Sequence, residues 1–251
     1  MRNPIVAGNW KMHKTVVEAE ELVNLLRNDL EKINSVKSVF CVPFTALSKV
    51  SEMLNNSSIG VGVQNVHWEN QGAYTGEISP LMVKEFANYA IIGHSERRTY
   101  FGETNETVNK RVIAALANEI VPIMCVGETL EENKKGLALE VIKRQMEIGL
   151  TNIDPESAKK IVIAYEPVWA IGTGLACDPE TANDIISHAI RKTLQGIFDH
   201  KTAQMIRVQY GGSVNGDNAV EYFSQPEIDG GLIGGAALTS DFINIVKAAA
   251  R

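Results

Sequence analysis

Ile161-Val162-Ile163-Ala164-Tyr165-Glu166-Pro167 is an apolar run that ends in one carboxylate and a proline. The run shows no alternation of apolar and polar positions, the pattern of a strand covered on both faces and so of a parallel sheet. Pro167 lacks an amide hydrogen and cannot continue the ladder, so the chain turns just past Glu166. Val168-Trp169-Ala170-Ile171 follows, closed by Gly172 and Gly174. An apolar loop costs free energy in water unless it covers something, and here it reads as a hinged lid over a carboxylate at a strand end. The plainer reading is a salt-bridged glutamate with an ordinary loop beside it.

Seven further runs of the same kind lie along the chain: Ile5-Val6-Ala7-Gly8, Val39-Phe40-Cys41-Val42, Ile59-Gly60-Val61-Gly62-Val63, Ala90-Ile91-Ile92-Gly93, Ile123-Met124-Cys125-Val126, Ile206-Arg207-Val208-Gln209-Tyr210 and Gly231-Leu232-Ile233-Gly234. Amphipathic segments separate them. Thr15 leads into Ala19, Leu22, Val23, Leu25 and Leu26; Thr104 leads into Val108, Val112, Ala115 and Leu116; Thr181 leads into Ile185, Ile186, Ala189, Ile190 and Leu194. Each has a period near 3.6 and a threonine placed to cap its start. Strand and helix alternating eight times predict an α/β protein whose parallel strands close into a (β/α)8 barrel, one domain over residues 1–251. A doubly wound open sheet is the competing architecture. No linker divides the chain, however, and Gly8-Asn9-Trp10-Lys11 stands where that fold would carry GxGxxG.

Composition narrows the function classes. A formal net charge of −6 argues against a general nucleic-acid binder, and any anionic substrate has to be held by local groups. Met1-Arg2-Asn3-Pro4 leads straight into the first apolar run with no signal-peptide region, and no run is long enough to span a membrane. Cys41, Cys125 and Cys177 are far apart and form no CxxC pair, so free thiols in the reducing cytoplasm are expected.

Barrel chemistry sits at the carboxyl ends of the strands, so the residues just past each run are the ones to read. The first run delivers Asn9 and Lys11, the fourth His94, and the sixth Glu166. The last two deliver Gly211-Gly212-Ser213 and Gly234-Gly235-Ala236, turns suited to turning backbone N–H groups toward a phosphate. Taken singly, Lys11 reads as a solvated surface lysine, His94 as a residue that begins a helix, and the glycines as turn geometry. Gathered at one barrel mouth, a cation, an imidazole, a carboxylate and two anion-binding turns predict a site for a small phosphorylated carbonyl compound. The histidines at 13, 67, 94, 188 and 200 lack metal-ligand spacing, so neither metal nor cofactor is implied. Strand six offers Glu166 where a Schiff-base aldolase would place a lysine, although a lyase or aldolase acting on a phosphorylated ketose stands as the alternative.

Asn9-Trp10-Lys11-Met12, Gly93-His94-Ser95-Glu96-Arg97-Arg98, Ala164 through Gly174, and Tyr210-Gly211-Gly212-Ser213-Val214 together resemble the triosephosphate isomerase family, in the family's order from Asn9 to Gly235. The resemblance implies a TIM barrel that interconverts dihydroxyacetone phosphate and glyceraldehyde 3-phosphate, a step of glycolysis and gluconeogenesis, without a cofactor. This enzyme is itself a standard example of pKa tuning, so the acid–base roles follow from the resemblance. It implies Glu166 as the base, His94 as a neutral electrophile at a helix N-terminus, and Lys11 as the cation on phosphate and oxyanion. Asn9, Gly172, Ser213, Gly234 and Gly235 would hold substrate, with Ser95 and Glu96 in support and the lid running from Pro167 to Ala176. Leu175-Ala176-Cys177 departs from the Lys-Thr-Ala common at the far hinge, and His13 stands where an Asn is common.

The resemblance also implies a homodimer formed through the loop from Gln64 to Glu77, with Thr75 reaching the partner near Asn9 and Met12. Trp68 and Tyr74 in that loop would otherwise be left exposed.

Overall fold

Eight parallel strands close on one another in chain order in the computed structural model, which describes residues 2–171 and 177–250. They are β1 (Ile5–Asn9), β2 (Lys37–Val42), β3 (Gly60–Val63), β4 (Tyr89–Ile92), β5 (Val121–Val126), β6 (Val162–Tyr165), β7 (Arg207–Tyr210) and β8 (Gly230–Ile233). All eight expected runs form strands, with ends shifted by a few residues. The barrel closes where β1 pairs with β8, Ile5 opposite Gly230 and Gly8 opposite Ile233. Gly230 has φ +131°, and a Cβ there would stand 2.0 Å from the Ile5 carbonyl oxygen, so only glycine lets the last strand approach the first.

The runs lack alternation because both of their faces are covered, by different material. Ile5, Ala7, Val39, Cys41, Ile123, Val162 and Ala164 point inward and fill the barrel. Val6, Phe40, Val42, Val63, Ile92, Ile163 and Tyr165 point outward against the helices. Strand residues therefore divide by parity between two cores.

The helix Val16–Leu30 starts at Thr15, whose hydroxyl accepts from the Glu18 amide while Glu18 reaches back to the Thr15 amide. Its buried stripe is Ala19, Leu22, Val23, Leu26 and Leu30, whereas Leu25 lies off that stripe and is exposed. Thr104 caps Asn105–Ala117 in the same way. Thr181 does not cap its helix. Asp178 takes that place, accepting from the Thr181 amide, because Pro179 follows it and a proline is pre-shaped for the first helical position. That helix continues through a π-helical stretch, Ile186–Arg191. Among the described residues no helix is long and apolar enough to cross a membrane.

Candidate active site

A cavity of about 360 Å³ opens at the carboxyl ends of the strands, and Asn9, Lys11, His94, Glu166, Ser213, Gly234 and Gly235 all line it. The mouth residues read from the sequence are thus brought together. Gly172 and the lid positions from Thr173 to Ala176 lie outside the described residues.

Lys11 arrives through a turn that its neighbours force. Trp10 is fully buried against Phe40, with ring centroids 5.6 Å apart. The next residue must reverse direction, and Lys11 adopts φ +52°, a left-handed conformation that costs a non-glycine residue on the order of 1–3 kcal/mol. Asn9 Oδ1 accepts from the Lys11 amide at 3.0 Å, and Gln64 Nε2 donates to the Lys11 carbonyl at 2.9 Å, which holds the turn from both sides. The ammonium then meets Glu96 Oε1 at 2.6 Å.

His94 follows Gly93, at φ +71°, and caps the helix Ser95–Phe101 with its own ring: Nδ1 accepts from the Glu96 amide at 3.2 Å. An accepting Nδ1 leaves the proton of a neutral ring on Nε2, which lies 2.9 Å from Glu166 Oε1. Glu166 Oε2 accepts from the Ser95 amide at 2.9 Å, so Ser95 acts through its backbone rather than its hydroxyl. The carboxylate is 2% exposed. Gly211 makes room for it, since a Cβ there would come within 3.0 Å of Glu166 Cγ.

The imidazole of His94 is pulled in two directions. Burial alone would lower the pKa of His94, but the facing Glu166 carboxylate outweighs it, Glu96 adds to the rise, and the ring is held above its ordinary value. Burial pushes Glu166 up, yet His94, the Ser95 amide and Lys11 together leave its carboxyl below the ordinary range. Each member of the pair thus favours the charged form of the other against the cost of burial.

The near part of the lid is less exposed than its sequence suggests. Trp169 and Ile171 are half-buried, and the indole N–H donates to Glu128 Oε1 at 2.7 Å. Glu128 is fully buried, also accepts from Asn133 and Tyr165, and is pushed upward in pKa chiefly by burial. Ser213 Oγ donates to the Ala170 carbonyl at 2.8 Å, and the Tyr210 and Tyr222 hydroxyls donate to the Cys177 carbonyl, anchoring Ala170 and Cys177. The sequence reading missed Glu128 although the same rule finds it: it lies just past β5, a strand end that went unread. Gln64 obeys it too, standing directly past β3, whereas the two tyrosines carried no such local signal.

In the loop from Gln64 to Glu77, Trp68 is half-buried rather than bare, with the Arg111 guanidinium 4.9 Å from its ring centroid. His67 is buried beside it and Tyr74 stays 44% exposed. Met12 is 94% exposed and Phe101 67%, and both border a second recess next to Lys11 that Gln64 and Arg97 share.

Comparison with known proteins places this geometry. Residues 4–249 match the family model described as triosephosphate isomerase. The chain is 50% identical over 249 residues to the triosephosphate isomerase of Alkaliphilus metalliredigens, covering 98% of this chain and all of that protein. It is 51% identical over 239 residues to that of Moorella thermoacetica, covering 95% of each. To the Dictyoglomus thermophilum protein of the same name it is 49% identical, over 98% of this chain and 100% of that one. A chain that places a carboxylate against an imidazole at the barrel mouth, and that matches the family model over residues 4–249, belongs to the triosephosphate isomerase family.

Proposed function

We propose that this chain interconverts dihydroxyacetone phosphate and D-glyceraldehyde 3-phosphate by moving a proton between adjacent carbons through an enediolate. The observation that carries the reading is the buried Glu166–His94 contact of 2.9 Å in the same cavity as Lys11. A carboxylate is a weak base toward a C–H bond, so the carbonyl must be polarised as the proton leaves. Glu166 removes the proton and returns it to the neighbouring carbon. The Nε2–H of His94 points at the developing oxyanion.

In the free enzyme Glu166 occupies the donor that the substrate carbonyl needs. Substrate entry therefore exchanges one acceptor for another at Nε2. Once the carboxylate has left, the larger of the two charges that raise the His94 pKa is gone, and the Glu96 amide donating to Nδ1 favours the neutral ring. Lys11 likewise trades Glu96 for the substrate's phosphate and oxyanion, with Asn9 holding the turn that aims it. The turns at Ser213 and at Gly234–Gly235 supply N–H groups to the phosphate, the second opening a 3₁₀ turn whose first amides have no partner within the turn. Gly172 completes the phosphate set, and the lid excludes water from the enediolate.

A coupled assay of triose phosphate interconversion without added metal tests this reading; absence of turnover by the folded protein overturns it. The lyase alternative finds less support: among the described residues Lys11 is the lysine that lines the mouth, and it is ion-paired to Glu96. Borohydride with substrate is expected to leave activity intact.

The working unit in this proposal is a cytoplasmic homodimer. Met12 and Phe101 stand exposed at a recess beside Lys11, where Thr75 of a second copy would dock and cover them. Full activity of a monomer at nanomolar concentration in sedimentation overturns the dimer.

A further inference from the structure

The amino ends of β1, β6 and β7 open on another cavity, of about 490 Å³, lined by Arg2, Asn3, Lys159, Gln204, Met205 and Arg207. Half of this lining is cationic, in a chain whose formal net charge is −6. Two of the cations are already committed. Arg2 donates to both oxygens of Asp229, at 2.7 and 2.8 Å, and Lys159 pairs with Glu156.

Arg207 differs. It is the first residue of β7 and half-buried, yet among the described residues its guanidinium makes no hydrogen bond or ion pair. Asp229, the carboxylate that attracts it, is taken by Arg2, Arg191 and the Val208 amide. Tyr89 and Lys37 also lie within its electrostatic reach. The Lys37 ammonium is held by the Ser58 carbonyl at 2.6 Å rather than by a carboxylate. Burial lowers the pKa of both cations, and the charge of Arg207 lowers that of Lys37 further. A half-buried guanidinium that stands next to a second cation and shares its nearest carboxylate with Arg2 and Arg191 is under-compensated in charge. Its paired N–H donors match the oxygens of a phosphate.

We propose that this floor cavity binds a phosphate-type oxyanion, with Arg207 supplying the paired donors and Arg2 and Lys159 the surrounding charge. The floor lies at the opposite end of the barrel from Glu166 and shares no lining residue with the mouth cavity. The cavity is much larger than a single phosphate group and admits the body of a small phosphorylated metabolite.

Calorimetric titration with inorganic phosphate and with ribose 5-phosphate tests this. The wild-type chain is expected to bind at two sites, one weakened by Lys11→Met and the other by Arg207→Gln. Loss of the paired donors is expected to weaken the floor site about tenfold or more. Tighter binding of ribose 5-phosphate assigns the site to an organic phosphate, and equal binding assigns it to the free ion. Arg207→Gln is expected to melt no lower than the wild type without anion, since it removes one of two neighbouring cations, and to keep triose phosphate turnover. Lys159→Gln, at the cavity rim, is expected to weaken the same site about threefold through reduced charge. A single site abolished by Lys11→Met and untouched by Arg207→Gln or Lys159→Gln overturns the proposal.

Discussion

At the carboxyl end of the barrel Lys11 meets Glu96 and His94 meets Glu166 around an open cavity, whereas at the amino end Arg2 and Arg191 close on a single buried Asp229. In the proposed function the mouth pairs are placeholders, because each joins groups that a substrate would separate by offering its own carbonyl or phosphate. The floor network has no such exchange. Asp229 is 1% exposed, and its partners come from the chain start, from the π-helical stretch and from β7. Charge at one end is spent on rate and at the other on closure.

Substitution at each end should separate the two roles. Glu166→Gln keeps the shape and removes the base, so kcat is expected to fall about 10⁴-fold; a fall below tenfold in a stopped assay moves the base elsewhere. Asp229→Asn leaves Arg2 and Arg191 facing a neutral amide. Urea denaturation is expected to show a loss of about 3–5 kcal/mol, with kcat of the remaining folded enzyme intact. A loss of activity without loss of stability there erases the contrast between the two ends. Ser213→Ala removes the hydroxyl that holds the Ala170 carbonyl, a hydrogen bond worth about 1 kcal/mol. Its effect on kcat/KM should be about fivefold, and no change in steady-state kinetics means the lid does not depend on that contact.

The mouth pair also carries a pH signature. The Glu166 pKa is depressed in the fold, so its contribution to stability is present above the unfolded value near 4.5 and is lost as pH falls through the folded value. The His94 pKa is raised, so its contribution is full below the unfolded value near 6.5 and disappears as pH rises through the folded one. Together they stabilise most between those two values. The difference in melting temperature between wild type and His94→Gln is expected to peak in that window; a difference that grows steadily toward alkaline pH reverses the assigned direction for the imidazole.

The mouth was far more legible in sequence than the floor, for a physical reason. Strand ends are marked by where apolar runs stop, so Asn9, His94 and Glu166 could be found by reading one or two residues past each run. Glu128 obeyed the same rule and was overlooked only because the end of β5 was not read. Thr181 was misjudged although Pro179 already favoured Asp178 as the cap. The floor offers no such rule. Arg2 and Asp229 are 227 positions apart, and the local sequence around Arg207 does not reveal that its guanidinium lacks a carboxylate. The left-handed turn at Lys11 was equally hidden, because a lysine does not advertise a conformation that Asn9 and Gln64 impose on it.

The seam between β1 and β8 sets a timetable for synthesis. Ile5 finds its partner opposite Gly230 only when almost the whole chain exists, so at ordinary elongation rates the first strand waits roughly 10–50 s for its second neighbour. Through that interval Ile5-Val6-Ala7 keeps an unpaired edge that another nascent chain can occupy. Variants that weaken the seam are therefore expected to reduce the yield of soluble protein from cells before they reduce the stability of the finished barrel.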